Sequence, residues 1–211
     1  MPLLLATTNV GKLREIRMLL RDLPVELRSL ADFPGATPPE ETGRTFAENA
    51  RLKALFYARE TGQLTVAEDS GLEIDALDGA PGVESARFGG VDTPYPTKFA
   101  LIYEALRARR ATASTARFVC ALALADANGI VFEARGSIEG TIAPAPKGDG
   151  GFGYDPIFYY PPFGVTLAEA GSRKSDVSHR GEAFRKLRDA WPQIEAARRL
   201  NRGGREGTAG H

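Results

Sequence analysis

Hydrophobic positions along this chain switch between two periods, and the switching lays out an α/β protein. Leu3, Leu4, Leu5 and Ala6 form an unbroken apolar run, the pattern of a strand buried on both faces. Between Gly11 and Arg21 the spacing becomes helical, with Leu13, Ile16, Leu20 and Leu23 on one stripe. Val25 to Leu30 reads as a second strand, and Ala31 to Gly43 as a Pro/Gly/acidic loop. Thr45-Phe46-Ala47-Glu48 has the form of a capping box and predicts a helix running to Thr61. Leu64 to Ala67 reads as a short strand that stops in Glu68-Asp69-Ser70-Gly71; Leu72, Ile74 and Ala76 then alternate with acidic residues as a half-exposed arm. After the rigid turn Gly79-Ala80-Pro81-Gly82, a helix from Tyr95 to Arg109 carries Phe99, Ile102, Tyr103 and Leu106 on one face. Ala116 to Ala125, apolar on both alternating faces, predicts a central strand, turned by Asp126-Ala127-Asn128-Gly129 into a partner that ends near Gly136. A last helix, capped by Ser178, has Phe184, Leu187 and Trp191 as its stripe, and Asn201 to His211 has the composition of a disordered tail.

Composition narrows the classes. A chain of 211 residues, 43% of them hydrophobic, can bury the core of one large or two small domains. Its 27 basic and 27 acidic residues cancel, so the basic excess of a nucleic-acid binder is missing and no nucleic-acid partner is expected, whereas a small anionic ligand is compatible. Cys120, the single cysteine, has no partner for an internal disulfide and lies in an apolar run, which points to a reducing compartment and a small buried side chain. No apolar run approaches the roughly 18 residues of a membrane span. Met1 to Ala6 is too short for a signal peptide and lacks its positive start, so it reads as the first strand of a cytoplasmic protein.

Candidate chemistry sits where the period changes. Glu68 and Asp69, adjacent carboxylates at the expected end of a strand, form a candidate hard-cation site, since ligands of open α/β sheets bind beyond the carboxyl ends of strands. Gly71 would let the backbone approach the ligand, although Asp-Ser-Gly is equally ordinary turn chemistry. Thr7-Thr8-Asn9-Val10-Gly11-Lys12 joins a strand to a helix, the layout of a phosphate site with free backbone donors, the positive dipole end and a lysine. Helix capping by Thr8 or Asn9 explains the same residues without a ligand. A Walker A loop is excluded, because it needs glycine at Ala6 and a hydroxyl at Leu13. Glu40 and Glu41 can bring a third carboxylate, and Asn49 and Lys53, four residues apart on a helix, can reach the same crevice, unless Lys53 is simply solvated. Gly148 to Pro156 sets four glycines around two aromatics, a place for a flat ring to slide against backbone and side chain. Lys174, His179 and Arg180 gather near a helix amino end, where like charges oppose the dipole unless a bound anion or base oxygen relieves them.

Taken together, Thr7 to Lys12, Glu41-Thr42-Gly43 with Thr45 to Ala54, Glu68 to Leu72, Gly79 to Gly82 with Ser85-Ala86-Arg87, Gly151 to Phe158 and Ser178 to Gly181 resemble, in this order, the Ham1/RdgB family of inosine/xanthosine triphosphate pyrophosphatases. The resemblance implies an α/β fold with a long, twisted mixed central sheet, helices on two lobes and an active-site cleft between them. It implies one catalytic domain over residues 1–200, usually a homodimer, hydrolysing ITP, dITP and XTP to the monophosphate and pyrophosphate with Mg²⁺. Residue by residue, it implies that Thr7, Thr8, Asn9, Val10, Gly11 and Lys12 hold the triphosphate with help from Lys53. Asp69 becomes the catalytic carboxylate and a metal ligand, with Glu40 slightly preferred to Glu41 as the second, and Ser70 touches substrate. Phe152, Gly153, Tyr154 and Asp155 take the purine, and Lys174, His179 and Arg180 read its oxo edge or approach the phosphates. Two positions depart from the family's common pattern: Thr8 replaces a glycine and Glu68 an aspartate. Two rival readings remain, a Maf-like pyrophosphatase of modified pyrimidine nucleotides and a nucleotide-binding protein that has lost hydrolysis.

Overall fold

The computed structural model describes residues 1–206, with side chains through Leu200. Its centre is one mixed sheet in the order β2-β1-β3-β4-β5-β6-β7. Strand β1 (Pro2–Leu5) runs parallel to β2 (Glu26–Ser29) on one side and to β3 (Leu64–Ile74) on the other. The rest of the sheet is antiparallel: β4 (Thr115–Asp126), β5 (Gly129–Ile142), β6 (Phe158–Tyr160) and β7 (Val165–Thr166). Five α-helices are described: α1 (Val10–Leu19), α2 (Phe46–Thr61), α3 (Tyr95–Ala108), the short α4 (Lys174–Val177) and α5 (His179–Glu206). This is the mixed α/β architecture that the pattern and the resemblance imply. No described helix is long and apolar enough to cross a membrane.

Three apolar clusters hold the layers together. Ile16 of α1, Leu20 at its C-cap and Phe184, Leu187 and Trp191 of α5 pack on Leu3, Leu5, Val66, Leu122 and Leu124 on one face of the sheet. On the opposite face, Ala50, Ala54 and Ala58 of α2 meet Ala67, Ala121, Ala123 and Ala125, so small side chains on both layers bring this helix close to the strands. The third cluster joins α3, through Phe99, Ile102 and Leu106, to Leu72, Ile74, Phe118, Ile138 and Phe158 in the far half of the sheet.

Three elements are longer than the sequence pattern suggests. Strand β3 does not stop at Ala67 but passes straight through Glu68-Asp69-Ser70-Gly71 to Ile74, with Asp69 opposite Ala121 of β4, so neither the strand end nor the turn reading holds. Strand β5 continues beyond Gly136, where a Cβ would lie 2.2 Å from the His179 carbonyl oxygen; the glycine ends nothing and instead seats the start of α5 on the sheet. Helix α5 runs on through residues 201–206, since extending a packed helix adds one hydrogen bond per residue fixed and needs no new nucleus. The remainder of the expected tail, 207–211, lies outside the described residues.

Candidate active site

Strand β1 is short, and that shortness makes the cleft. Its register with β3 ends at Leu5 and Val66, so beyond Ala67 one edge of β3 is no longer covered by β1 while the other stays paired with β4. A cavity of about 320 Å³ opens along this edge, past the carboxyl end of β1, and side chains from both faces of the sheet line it. Successive side chains of a strand point to opposite faces, so the adjacent carboxylates part company. Glu68 and Ser70 turn toward α1 and α5, and Asp69 turns toward α2.

Glu68 is 3% exposed and fully engaged. Lys12 Nζ lies 2.8 Å and Arg180 Nη2 3.3 Å from Glu68 Oε1, and the Cys120 thiol donates to Oε2 at 3.4 Å. Burial alone would raise this carboxyl, but Arg180 and then Lys12 overcome it and hold it well below the usual carboxylate range. Its charge is balanced by two cations on the face away from Asp69, so the two adjacent carboxylates do not converge on one point. Arg180 is equally committed, with Nη1 donating to Glu15 Oε2 at 2.7 Å and Nη2 to Ser70 Oγ at 2.9 Å.

Asp69 lives under the opposite balance. Asn49 Nδ2 donates to its Oδ2 at 3.1 Å, and Lys53 Nζ donates to its Oδ1 at 3.3 Å while also reaching Glu41 Oε1 at 2.8 Å. Burial raises the Asp69 pKa, Lys53 lowers it, and the neighbouring charge of Glu41 raises it again; the net direction is up. Helix α2 sets this geometry because Thr45 and Glu48 form the reciprocal cap that the sequence predicts, which fixes where Asn49 and Lys53, one turn apart, project. Asp69 and Glu41 thus share the lysine, with Arg87 a further 3.9 Å from Glu41 but bonded chiefly to Glu84.

At the phosphate end, Asn9 caps α1 by accepting from Lys12 N at 3.1 Å, and Thr7 Oγ1 accepts from Asn9 N at 3.2 Å. The remaining first-turn N–H groups have no helical acceptor and make up the positive end of the dipole. Thr7, Thr8, Asn9 and Lys12 line the cleft; Val10 and Gly11 do not, and the Val10 side chain is exposed. Glu40 is exposed and does not line the cleft, whereas Glu41 does.

At the other end, Phe152, Gly153, Tyr154, Asp155, Lys174, His179 and Arg180 come together as expected. Gly151 has φ of 71°, and a Cβ there would lie 2.1 Å from Asp155 Oδ2; this tight turn lets Phe152 N donate to the same oxygen at 2.8 Å. Lys174 pairs with Asp155 and lies 4.6 Å from the Phe152 ring centroid. Of the two aromatics, Tyr154 is structural as well as lining, because its hydroxyl donates to the Ser85 carbonyl at 2.8 Å, while Phe152 remains 36% exposed. His179 stacks on Phe118, and burial, reinforced by Arg180, holds its imidazole well below the ordinary value, so it is neutral. His179 Nδ1 and Arg180 Nε are buried without a hydrogen-bond partner.

Some contributors carry no local signal. Glu15 joins α1 to α5 by accepting from Ser178 Oγ and Arg180 Nη1. Gly71 lines the cleft and also admits the Gly82–Glu84 turn: a Cβ there would lie 2.3 Å from Ser85 Oγ, which accepts from Leu72 N at 2.9 Å.

Among the described residues no three His, Cys, Asp or Glu side chains gather as a protein-only metal cage. Mg²⁺ is ordinarily held by one or two carboxylates with substrate phosphates and water completing its shell, and Asp69 with Glu41, two carboxylates sharing one lysine, fit that donor set.

The sheet and cleft together define an α/β protein whose candidate site lies along the uncovered edge of β3. Comparison with known proteins gives the family: the model of the Ham1 family matches residues 3–190. A dITP/XTP pyrophosphatase of an Exiguobacterium species is 50% identical over 188 residues, 89% of this chain and 95% of that protein. The protein of the same name from a strain of Thermus thermophilus is 48% identical over 192 residues, 90% and 92% of the two chains. A solved Ham1 protein from Coxiella burnetii superposes with a TM-score of 0.86 at 40% identity, over 92% of this chain and 99% of that one. The chain belongs to the Ham1 family.

Proposed function

We propose that this protein hydrolyses non-standard purine nucleoside triphosphates, ITP, dITP and XTP, to the monophosphate and pyrophosphate, clearing deaminated purines from the nucleotide pool. The observation that carries the reading is one cleft joining a helix amino end and Lys12, the buried Asp69 beside Lys53, and an aromatic slot floored by a neutral histidine. The names borne by relatives about half identical to this chain support the same reaction. Family membership counts against a Maf-like pyrimidine enzyme. An inactive binder would be expected to lack a reacting carboxylate or a phosphate lysine, and Asp69, Lys12 and Lys53 are all in the cleft.

The triphosphate lies along the first loop, its oxygens taking the free N–H groups of α1 and the charges of Lys12 and Lys53. Asp69, oriented by Asn49 and raised in pKa by burial, accepts the proton of the water that attacks the α-phosphorus. Asp69 and Glu41 would hold a divalent ion such as Mg²⁺, which would neutralise charge developing on the leaving pyrophosphate. Phe152 stacks on the purine. His179 and Arg180, which line that end of the cleft, read the 6-oxo edge, with the Arg180 Nη groups also held by Glu15, Glu68 and Ser70. Adenine brings a donor to that edge and leaves these groups unpaired, a cost of about 1–3 kcal/mol for each. The proposal extends to a two-lobed catalytic domain over residues 1–200, to a homodimer, and to a cytoplasmic setting without a nucleic-acid partner. These rest on the family resemblance, the buried free Cys120 and the balanced charge. With ITP and Mg²⁺, phosphorus NMR should show IMP and pyrophosphate in equal amounts; IDP with orthophosphate would place the attack elsewhere and refute the reading.

A further inference from the structure

The base end of the cleft has a wall that takes no part in the reaction described above. Tyr95, the first residue of α3, lines the cleft beside Gly153 and Tyr154. Its ring meets that of Tyr154 edge-on at 5.2 Å, and a Cβ built on Gly153 would lie 3.6 Å from the Tyr95 hydroxyl oxygen. Tyr95 is 37% exposed and is among the residues that line the cleft. Burial raises the phenol's pKa and the charge of Asp155 raises it further, which keeps the hydroxyl protonated and able to donate.

Behind this ring sits an unusual lysine. Lys98 is 2% exposed, its Nζ lies 4.9 Å from the Tyr95 ring centroid, and it donates to the Ala86 carbonyl oxygen. No carboxylate pairs with it among the described residues, and burial lowers its pKa. A buried ammonium without a counter-ion costs stability, so a role in fixing its neighbours is the natural account. What it fixes is clear from its contacts: the Tyr95 ring on one side and the Ser85–Ala86 backbone on the other, a segment that Tyr154 also grips through Ser85.

We propose that Tyr95 is a specificity-determining residue that reads position 2 of the purine, donating its hydroxyl to the 2-oxo group of xanthine, and that Lys98 is the positioning residue that holds it there. This rests on the substrate reading above. A flat base whose 6-oxo edge meets His179 and Arg180 offers its 2-position to a different edge of the slot. Tyr95 stands at such an edge, against Gly153 and Tyr154 rather than against the histidine stack. Hypoxanthine carries only hydrogen at that position, so it neither gains nor loses the contact.

The test compares kcat/KM for XTP and ITP on each enzyme preparation, a ratio from which the fraction of folded protein cancels. Tyr95→Phe keeps the ring and removes the donor; the XTP/ITP ratio should fall about 10-fold, the effect of one lost hydrogen bond. Lys98→Met keeps the packing volume and releases the ring; the ratio should fall in the same direction by about 3-fold, mainly through KM for XTP. A ratio within about twofold of the parent's in Tyr95→Phe overturns the assignment of Tyr95, since one lost hydrogen bond should exceed it, and a parent-like ratio in Lys98→Met overturns that of Lys98. If the parent turns over neither XTP nor ITP, the substrate reading itself fails and this inference falls with it.

Discussion

Asp69 and Glu68 are neighbours in the chain with opposite electrostatic fates, and the pleat of β3 is the cause. Glu68 faces two cations and is held ionised far into acid, whereas Asp69 shares Lys53 with Glu41 and is pushed up by burial, the direction expected of a base. Replacing Asp69 by Asn keeps the hydrogen bond from Asn49 but removes the proton acceptor. Turnover of ITP should fall by at least about 10²-fold with the thermal midpoint nearly unchanged; near-parental turnover in the folded variant would remove Asp69 from the chemistry. Lys53 lowers the Asp69 pKa, so Lys53→Met should shift the acid limb of kcat/KM to higher pH, as a base with a raised pKa loses its active form earlier on acidification. An acid limb that stays in place or moves to lower pH would show that Asp69 is not the group titrating. Asp69 and Lys53 are legible in the sequence because their residue types and the i, i+4 spacing on a capped helix are local facts. Glu15 is not legible, since its partner Arg180 lies 165 residues away and no local pattern marks the pair.

At the scale of elements, the chain Lys12–Glu68–Arg180–Glu15 alternates in charge and ties α1, β3 and α5 together. Removing one member leaves buried charge without a partner, which usually costs more than the pair contributes. Glu68→Gln should therefore lower the unfolding free energy by about 3–5 kcal/mol in a guanidinium titration. A loss under about 1 kcal/mol, the size of a surface pair, would show that the network is relaxed by water or rearrangement. The same network explains why the local pattern stops β3 too early, at Ala67. A local rule ends strands at clustered polar residues, yet here each polar side chain is answered from another element: Glu68 by α1 and α5, Asp69 by α2, Ser70 by Arg180. Helices α1, α2 and α3 are legible because their stripes and the capping box are properties of contiguous sequence.

For the whole molecule, the sheet order places β1 between two parallel neighbours and lets it end early, so that the cleft opens along the uncovered edge of β3. Alternating strand and helix patterns make the α/β class readable, but the site's assembly from both faces of one strand depends on register, which no single segment encodes. In the proposed function a hydrolytic centre and a base-reading slot occupy two ends of one cavity, and both must act on the same molecule. The most direct test is a panel of ITP, XTP, GTP, ATP, dUTP and dTTP with Mg²⁺, followed by pyrophosphate release. Values of kcat/KM for ITP and XTP should stand at least about 10²-fold above that for ATP, as two unpaired buried donors would give, with the pyrimidines lower still. Equal turnover of ATP and ITP, or preference for dUTP or dTTP, would contradict the proposed function.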